Sequence, residues 1–176
     1  MARARMVDLA EIQTVYYMVA ATGVLIAAAY YVMNIRSTQR NMKANLETRQ
    51  AQMFMQIYGK WSEGDFSSYW FDLSDTVWTD YGKFKENLLE NHGKMKSLSV
   101  LIRFFEGLGV LVKENLLDIR LIALTMAGDT RIFWEQYKPI VGEWRRDWKH
   151  PRLMSETEYL YDELIRYMET HPELKT

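Results

Sequence analysis

The sequence predicts an all-α protein in which one N-terminal transmembrane helix continues into a cytoplasmic helical bundle. Three observations predict this class. An uncharged apolar stretch runs from Val15 to Met33, apolar residues recur at helical spacing along most of the remaining chain, and no segment alternates persistently as a strand would. The length of 176 residues leaves room for one domain of ordinary size with a short appendage.

The composition excludes several classes of function. Hydrophobic residues make up 48% of the chain and charged residues 26%, which is typical of a globular protein. The formal net charge of -1 argues against a nucleic-acid partner, because such binding needs an excess of Lys and Arg to displace counterions. Cysteine is absent, so disulfides, thiol nucleophiles and Cys-based metal sites are excluded.

The apolar stretch has the length and the ends of a membrane span. At about 1.5 Å per residue it nearly crosses a hydrocarbon core of about 30 Å. Tyr16-Tyr17 and Tyr30-Tyr31 stand at its two ends, and tyrosine favours the headgroup level of a bilayer. We therefore place a transmembrane helix at residues 14–35.

Two other interpretations of this stretch stay open. One is a secretory signal, with Arg3 and Arg5 as its basic region and Ala27 and Ala29 at a small-residue cleavage site. Two acidic residues in that basic region, and apolar character that continues past Ala29, count against it. The other is a buried core helix, although such a long uncharged stretch is rare in a small soluble domain.

Basic residues predict the orientation of the span, because the richer basic flank normally stays in the cytoplasm. Only Arg3 and Arg5 precede the span, whereas four basic residues follow it closely: Arg36, Arg40, Lys43 and Arg49. We expect residues 1–13 to form a short extracytoplasmic N-terminus and the C-terminal domain to lie in the cytoplasm of a single-pass protein of the cell membrane.

Within the span, Gly23 and Ala27 stand four residues apart among further alanines. A pair of small residues at this spacing lets two helix backbones approach closely in lipid. The pair is a candidate helix–helix contact, in a homodimer or with another membrane protein. The alternative is that alanine is simply common in spans.

A juxtamembrane amphipathic helix is expected at residues 36–61, because no Pro, Gly or Ser-rich linker follows the span before Gly59. Its apolar residues fall within an arc of roughly 120°, and they are Met42, Leu46, Met53, Phe54, Ile57 and Trp61. We expect this stripe to join the core of a cytoplasmic helical domain at residues 62–176. A coiled coil that continues from a dimeric span is the alternative.

The first half of that domain begins with a loop and continues in two helices. Residues 62–80 carry Gly, Ser and Asp among aromatics, which predicts a loop with one or two short helical turns. A helix is expected from about Asp80, ending near Asn91 to Gly93. The next helix has clear apolar spacing from Leu98 to Leu108, and Gly107 and Gly109 should weaken or bend it.

Three further helices follow in the second half. Asp118 can cap a short helix that closes at Gly128. The strongest apolar pattern runs from Phe133 to Trp148, with a kink or break expected at Pro139 inside it. The motif "SETE" at residues 155–158 is a capping-box signal for the last amphipathic helix.

The order of these segments resembles a known family. The segments "YYVMNIRSTQRNMKANLETRQAQMFMQIY", "FFEGLGVLVKENLLDIRLI", "FWEQYKPIVGEWRR" and "HPRLMSETEYLYDEL" together resemble the DUF4760-type family of small uncharacterised membrane-anchored prokaryotic proteins. The ordered set is the basis of the resemblance, and no single motif would suffice. It implies one N-terminal span followed by a helical domain, and no activity, catalytic residue or cofactor. Turn geometry can explain Gly107 and Gly109 in these segments, and packing can explain the tryptophans.

We identify no catalytic, cofactor-binding or metal-binding residue from the sequence. The three histidines, His92, His150 and His171, are scattered and lack metal-ligand spacing. The GxG at residues 107–109 follows a predicted helix instead of a strand and lacks the third glycine of a dinucleotide-binding motif. Three carboxylates, Glu106, Glu114 and Asp118, lie close in sequence and could do acid–base work, but caps and solvated faces are the commoner role.

One basic cluster surrounds the end of a predicted helix and consists of Arg145, Arg146, Lys149 and Arg152, with His150 among them. Cations there complement the partial negative charge of a helix C-terminus. They could also contact an anionic membrane surface, where each contributes about 1 kcal/mol. The interleaved Trp144 and Trp148 are expected to enter the core, because their spacing continues the stripe that begins at Phe133.

These observations favour a membrane-anchored binding or scaffolding module, such as an accessory subunit of a membrane complex, over an enzyme. Its expected partners are the lipid bilayer and either a second copy or another membrane protein. The alternative is a membrane-anchored enzyme or ligand sensor with a pocket between helices. Convergent buried carboxylates in a roomy pocket would favour the enzyme or ligand sensor. A closed core with an exposed apolar patch would favour the binding module.

Overall fold

The computed structural model describes residues 9–73 and 77–174, and every regular element in those ranges is helical. This confirms the all-α prediction. Arg3 and Arg5, with most of the predicted extracytoplasmic segment, lie outside the described residues. The helices are α1 (Leu9–Trp61), α2 (Gly64–Phe71), α3 (Tyr81–Glu90), α4 (His92–Lys113), α5 (Ile119–Thr125), α6 (Ala127–Tyr137), α7 (Val141–Asp147) and α8 (Ser155–Thr170), followed by a 3₁₀ turn at Pro172–Leu174.

The chain divides into two units, Met1–Arg49 and Gln50–Thr176. In the first unit, residues 9–49 are one continuous stretch of α1, and each of them is exposed. This part of α1 contains the predicted span at 14–35 and is long and apolar enough to cross a membrane. The Thr22 hydroxyl donates to the Met18 carbonyl at 2.8 Å. The one hydroxyl in the middle of the apolar stretch is thus satisfied within the helix, as a lipid environment requires.

The second unit begins inside α1, at Gln50, whereas residue 62 was the predicted start of the domain. Phe54 is the first buried residue of the chain that the structure describes, and Trp61 packs against the same core. The prediction that the whole juxtamembrane stripe joins the core is wrong for its first two members. Met42 is 67% exposed and Leu46 54% exposed.

The core of the second unit is closed and rich in aromatic rings. Helix α4 packs against α8, α2 and α3, and α8 also packs against α5 and α6. The Phe105 ring stacks on Phe133 with 4.4 Å between the ring centroids, and Phe84 meets Trp144 edge-on at 4.8 Å. These four side chains are almost fully buried. Their burial is the main source of stability for a unit of this size.

Most element boundaries follow local signals in the sequence. The Asp80 carboxylate accepts from the Lys83 amide at 3.1 Å, and the Asp118 carboxylate accepts from the Arg120 amide at 2.9 Å. Both are N-caps; the one at Asp118 was predicted, and the one at Asp80 lies where the helix was expected to begin. The expected break at Pro139 lies between α6 and α7, because proline offers no amide proton to continue the helix. The expected short turns after residue 62 are the two turns of α2.

The explanation of the paired glycines by turn geometry is wrong. Helix α4 runs through Gly107 and Gly109 without a break, and no glycine that the structure describes has a positive φ. Gly109 is needed for packing, because a Cβ there would lie 2.0 Å from the carbonyl oxygen of Glu156 in α8. At Gly107, by contrast, a Cβ would meet nothing within 4 Å. The predicted stop at Gly128 is also wrong, since this residue lies in α6.

The capping box predicted for α8 does not form, although the helix does. Met154 is the N-cap and has a left-handed φ of 58°, so Ser155 is already helical. The cap comes instead from Glu106 in α4. Its Oε1 accepts from the Glu156 amide at 3.0 Å, the Thr157 amide at 2.9 Å and the Thr157 hydroxyl at 3.0 Å. Two of the unpaired amides at the start of α8 are thereby satisfied from another helix.

Candidate functional site

The apolar part of α1 presents two features that sequence reasoning singled out. The tyrosine pairs at its ends are exposed, and the Tyr16 and Tyr17 rings meet edge-on at 6.0 Å. Gly23 and Ala27 are also exposed, on one face of the helix, and a Cβ at Gly23 would meet nothing within 4 Å. A helix from another chain has open access to this face, and the proposed contact stays a prediction.

In the second unit, two members of the predicted basic cluster are engaged within the fold. The Arg145 guanidinium donates to the Leu153 carbonyl and to the Glu158 carboxylate, both at 2.8 Å, and its side chain is only 22% exposed. Arg152 donates to Glu156 at 3.0 Å, although its side chain remains 78% exposed. Arg145 therefore holds α7 against α8 and is not a free surface cation.

The other two members form an exposed patch at the end of α7. Arg146 and Lys149 are exposed. Trp148 between them is 50% exposed, whereas Trp144 is buried at 1%. The expectation that both tryptophans enter the core is therefore correct only for Trp144. We call Arg146, Trp148 and Lys149 the α7 patch. It combines two cations with an amphipathic ring, which is a composition found at membrane surfaces.

An ion-pair network centred on the buried carboxylate of Glu156 joins α4 to α8. Glu156 is 7% exposed, and its carboxylate accepts from the Lys113 ammonium at 2.8 Å and from Arg152 at 3.0 Å. The hydrogen bond from Lys113, with a smaller contribution from Arg152, lowers the pKa of Glu156 below its usual value. Because both oxygens of this carboxylate are engaged, the network stabilises the helix pair and offers no free acid or base.

The three carboxylates considered for acid–base work occupy structural or solvated positions. Glu106 caps α8 and Asp118 caps α5, whereas Glu114 is exposed at the end of α4. His171 stacks on Tyr167 with 4.1 Å between the ring centroids. Across residues 9–73 and 77–174, no three His, Asp or Glu side chains are grouped so that they could hold a metal ion.

A second electrostatic cluster ties α3 to the end of α7. The Tyr81 hydroxyl donates to the Asp147 carboxylate at 2.7 Å, and the Lys85 ammonium donates to the same oxygen at 2.8 Å. Burial and the neighbouring carboxylate raise the pKa of Tyr81 to about 12. The tyrosine therefore stays protonated at neutral pH and acts as a fixed hydrogen-bond donor.

An apolar groove of about 620 Å³ lies where the last turns of α1 meet α2 and α4. Met55 is 63% exposed on its wall, and Phe66 and Phe104 pack against each other with 4.7 Å between their ring centroids. A Lys60–Glu63 ion pair of 2.9 Å lies at its rim. We call it the Met55 groove, and its lining residues are Met55, Gln56, Ile57, Gly59, Lys60, Glu63, Phe66 and Phe104.

Sequence reasoning missed this groove. The predicted stripe assigned Ile57 to the core, and Met55 was not considered. The available signal was the Phe104-Phe105 doublet, because adjacent residues on a helix point about 100° apart and cannot both face the same core. Phe105 is fully buried, whereas Phe104 is only partly buried.

A smaller pocket of about 310 Å³ is the best candidate for a ligand site between helices. Its two acidic side chains are already engaged, since Asp118 caps α5 and Glu163 pairs with Arg166. The Gln50 amide donates to the Asn115 carbonyl at its edge, at 3.1 Å. The pocket therefore lacks the convergent free carboxylates that an enzyme site of the expected kind would show.

These features define a class: an all-α protein with a closed aromatic-rich core, an exposed apolar groove and one N-terminal helix long and apolar enough to cross a membrane. The chain belongs to the family described as Domain of unknown function (DUF4760), whose model matches residues 17–164. The resemblance seen in the ordered segments is thereby confirmed. No curated protein and no solved structure matches the chain significantly.

Proposed function

We propose that this protein is a single-pass membrane anchor that presents a helical binding module, as an accessory subunit would, to a protein partner. The observation that supports this function best is the Met55 groove, an exposed apolar surface beside a closed core. Apolar grooves of this kind receive the apolar face of a partner helix. The exposed apolar part of α1 supplies the anchor.

The proposed orientation places the N-terminus outside and the second unit in the cytoplasm. It is supported by the basic residues that follow the apolar stretch, beginning at Arg36. A pair of reporters fused after Thr176, one active only in the cytoplasm and one only outside, tests it. Activity of the cytoplasmic reporter alone is expected, and activity of the external reporter alone would contradict the orientation.

The binding function is tested by pull-down of the tagged full-length protein in mild detergent, with quantitative mass spectrometry. A partner in stoichiometric amount is expected with the wild type. Met55→Asp places a charge on the groove wall and should reduce recovery of that partner at least about tenfold. Ile132→Asp is the matched control, because Ile132 is also an exposed helical residue, at 46%, but lies on α6 outside the groove.

Equal recovery of the partner with both variants would remove the groove from the interface. Recovery of the wild-type protein alone would contradict the accessory-subunit function and would favour a self-associating anchor or a ligand-binding domain.

Self-association is proposed to use the face of Gly23 and Ala27. Gly23→Leu would force two helices apart at this point, so it should weaken association in a membrane two-hybrid assay. Val24→Leu, on a neighbouring exposed position of the same helix, is the control. An unchanged signal with Gly23→Leu would exclude this face from the interface.

A further inference from the structure

A strip of three cations runs along one face of the first unit. Arg36, Arg40 and Lys43 are all exposed. At 3.6 residues per turn they fall within an arc of about 60°. The same face ends at Glu47, whose carboxylate lies 4.0 Å from the Lys43 ammonium. We call Arg36, Arg40 and Lys43 the basic strip.

Lys43 has an acidic neighbour on the helix in Glu47, but nothing within the helix accounts for Arg36 and Arg40. Arg36 and Arg40 have no acidic residue three or four positions away in either direction, so they lack the usual partner for a helical ion pair. The helix dipole does not explain them either, because α1 continues to Trp61 and the dipole acts only within the last turn. The binding partner that the two arginines fit is therefore an anion outside this helix.

The position of the strip along α1 suits the headgroup layer of a bilayer. The apolar stretch ends at Met33, and the interfacial layer beyond the hydrocarbon is about 5–8 Å thick. Counted from Met33, Arg36 lies about 4.5 Å along the helix axis and Arg40 about 10 Å. Arg36 is within the layer, and the long side chain of Arg40 reaches back to it. Lys43, about 15 Å away, remains close enough to an anionic surface to be attracted in moderate salt.

The other end of the apolar stretch has no excess of positive side chains. Arg3 and Arg5 precede it, but Asp8 and Glu11 lie between them and the stretch and balance their charge. An anionic headgroup layer would therefore be attracted more strongly at the C-terminal end of the stretch.

We infer that the basic strip binds the phosphate groups of anionic phospholipids in the leaflet that the C-terminal end of the span crosses. A guanidinium offers planar paired donors to phosphate oxygens, and each cation close to an anionic surface should raise lipid association about fivefold at low salt. The inference rests on the proposed span and adds the class of lipid that this end of α1 selects.

The test uses the full-length protein reconstituted into phosphatidylcholine vesicles with spin-labelled lipids. Electron paramagnetic resonance gives the association of spin-labelled phosphatidylglycerol relative to spin-labelled phosphatidylcholine. A ratio clearly above one is expected at low salt, falling as sodium chloride rises. The triple variant Arg36→Gln, Arg40→Gln, Lys43→Gln should bring the ratio close to one.

Two single variants are matched in residue type and helix. Arg40→Gln should lower the ratio several-fold. Arg49→Gln should leave it unchanged, because Arg49 lies about 24 Å beyond Met33 along α1 and on the opposite face from the strip. An unchanged ratio for the triple variant, or equal effects of the two single variants, would overturn the inference.

Extraction with alkaline carbonate separates this inference from the proposed function. Wild-type protein that resists extraction but shows a ratio of one would overturn lipid selection alone. Wild-type protein released by carbonate would overturn both the span and the inference. A last comparison uses inorganic phosphate and sodium chloride at the same ionic strength. If only inorganic phosphate abolishes the preference for phosphatidylglycerol, the basic strip binds free phosphate and the lipid assignment is overturned.

Discussion

Alanine substitution of the two glycines in α4 should change stability in opposite directions. Both residues are helical with ordinary φ values, so alanine at either position gains the same intrinsic helix propensity, about 0.5–1 kcal/mol. Gly107 is exposed, and a Cβ there would meet nothing within 4 Å. Gly107→Ala should therefore raise the free energy of unfolding by that amount.

At Gly109 the same methyl group has no room. Its Cβ would lie 2.0 Å from the carbonyl oxygen of Glu156 and 2.5 Å from the carbonyl carbon, whereas ordinary contact begins at 3.4 Å. The start of α8 would have to move by the difference, 3.4 minus 2.0, or 1.4 Å. The obstacle is backbone, so it cannot relieve the overlap by a rotamer change.

The movement would also stretch the three hydrogen bonds by which Glu106 caps α8. Overpacking costs about 1–3 kcal/mol, and the weakened charged hydrogen bonds add to it. After subtraction of the propensity gain, we expect Gly109→Ala to lower the free energy of unfolding by about 2 kcal/mol. The two alanine variants should thus differ by about 3 kcal/mol.

The assay is guanidinium unfolding of the full-length protein in mild detergent, followed by tryptophan fluorescence. All six tryptophans lie in the second unit, from Trp61 to Trp148, so the signal reports that unit and not the apolar part of α1. The midpoint should rise for Gly107→Ala and fall for Gly109→Ala with similar slopes. If Gly109→Ala is as stable as Gly107→Ala, then α8 does not approach α4 as closely as described.

Three further predictions concern the second unit. Glu106→Ala should lower the free energy of unfolding by about 2–3 kcal/mol in the same assay, because two amides lose their cap. Glu114→Ala, at an exposed position, is the control and should change it by less than about 0.5 kcal/mol. Equal effects of the two variants would contradict the cap. The pKa of Glu156 is lower in the folded protein than in the unfolded chain. Its ionised carboxylate therefore stabilises the fold at pH values above the unfolded-state pKa, and this stability is lost as the pH falls through the folded-state pKa. Below about pH 5 the wild type should therefore lose stability more steeply than Glu156→Gln, and parallel pH profiles would refute the ion pair. A fragment that begins at residue 45 lacks the basic strip. It should bind phosphatidylglycerol vesicles at low salt through the α7 patch. Failure of the fragment to bind, or equal binding by its double variant Arg146→Gln, Lys149→Gln, would reject that contact.

Local signals in the sequence predicted most of the fold, because they act within one turn. The carboxylates of Asp80 and Asp118 reach amides two or three residues away, and the effect of Pro139 on the helix is equally local. Where a distant contact competes with a local one, the sequence prediction failed. The "SETE" motif satisfies the capping-box pattern, but Glu106 lies 50 residues from Glu156 and takes that role in the folded chain.

The glycine pair shows that a stronger inference was available. Residues two apart on a helix point about 200° apart, so Gly107 and Gly109 could not have the same role in an amphipathic helix. Gly109 falls on the face of Phe105 and Val112, which is buried, whereas Gly107 falls on the exposed face. A glycine on the apolar face predicts close approach of another element. The sequence alone could not show that the element is the start of α8.

The Met55 groove could not be predicted in the same way, because its walls come from three helices whose relative placement depends on the whole core. Trp61 is the residue that connects them. Its ring lies 5.1 Å from Phe66, 5.4 Å from Trp70 and 5.3 Å from Phe104, measured between centroids. Two of these contacts of Trp61 are with Phe66 and Phe104, which also line the groove. A partner bound there would touch the same two side chains that attach the last turns of α1 to α2 and α4, so changes at Phe66 or Phe104 would alter stability as well as binding. Met55, on the exposed wall, is therefore the position where binding can be tested apart from folding.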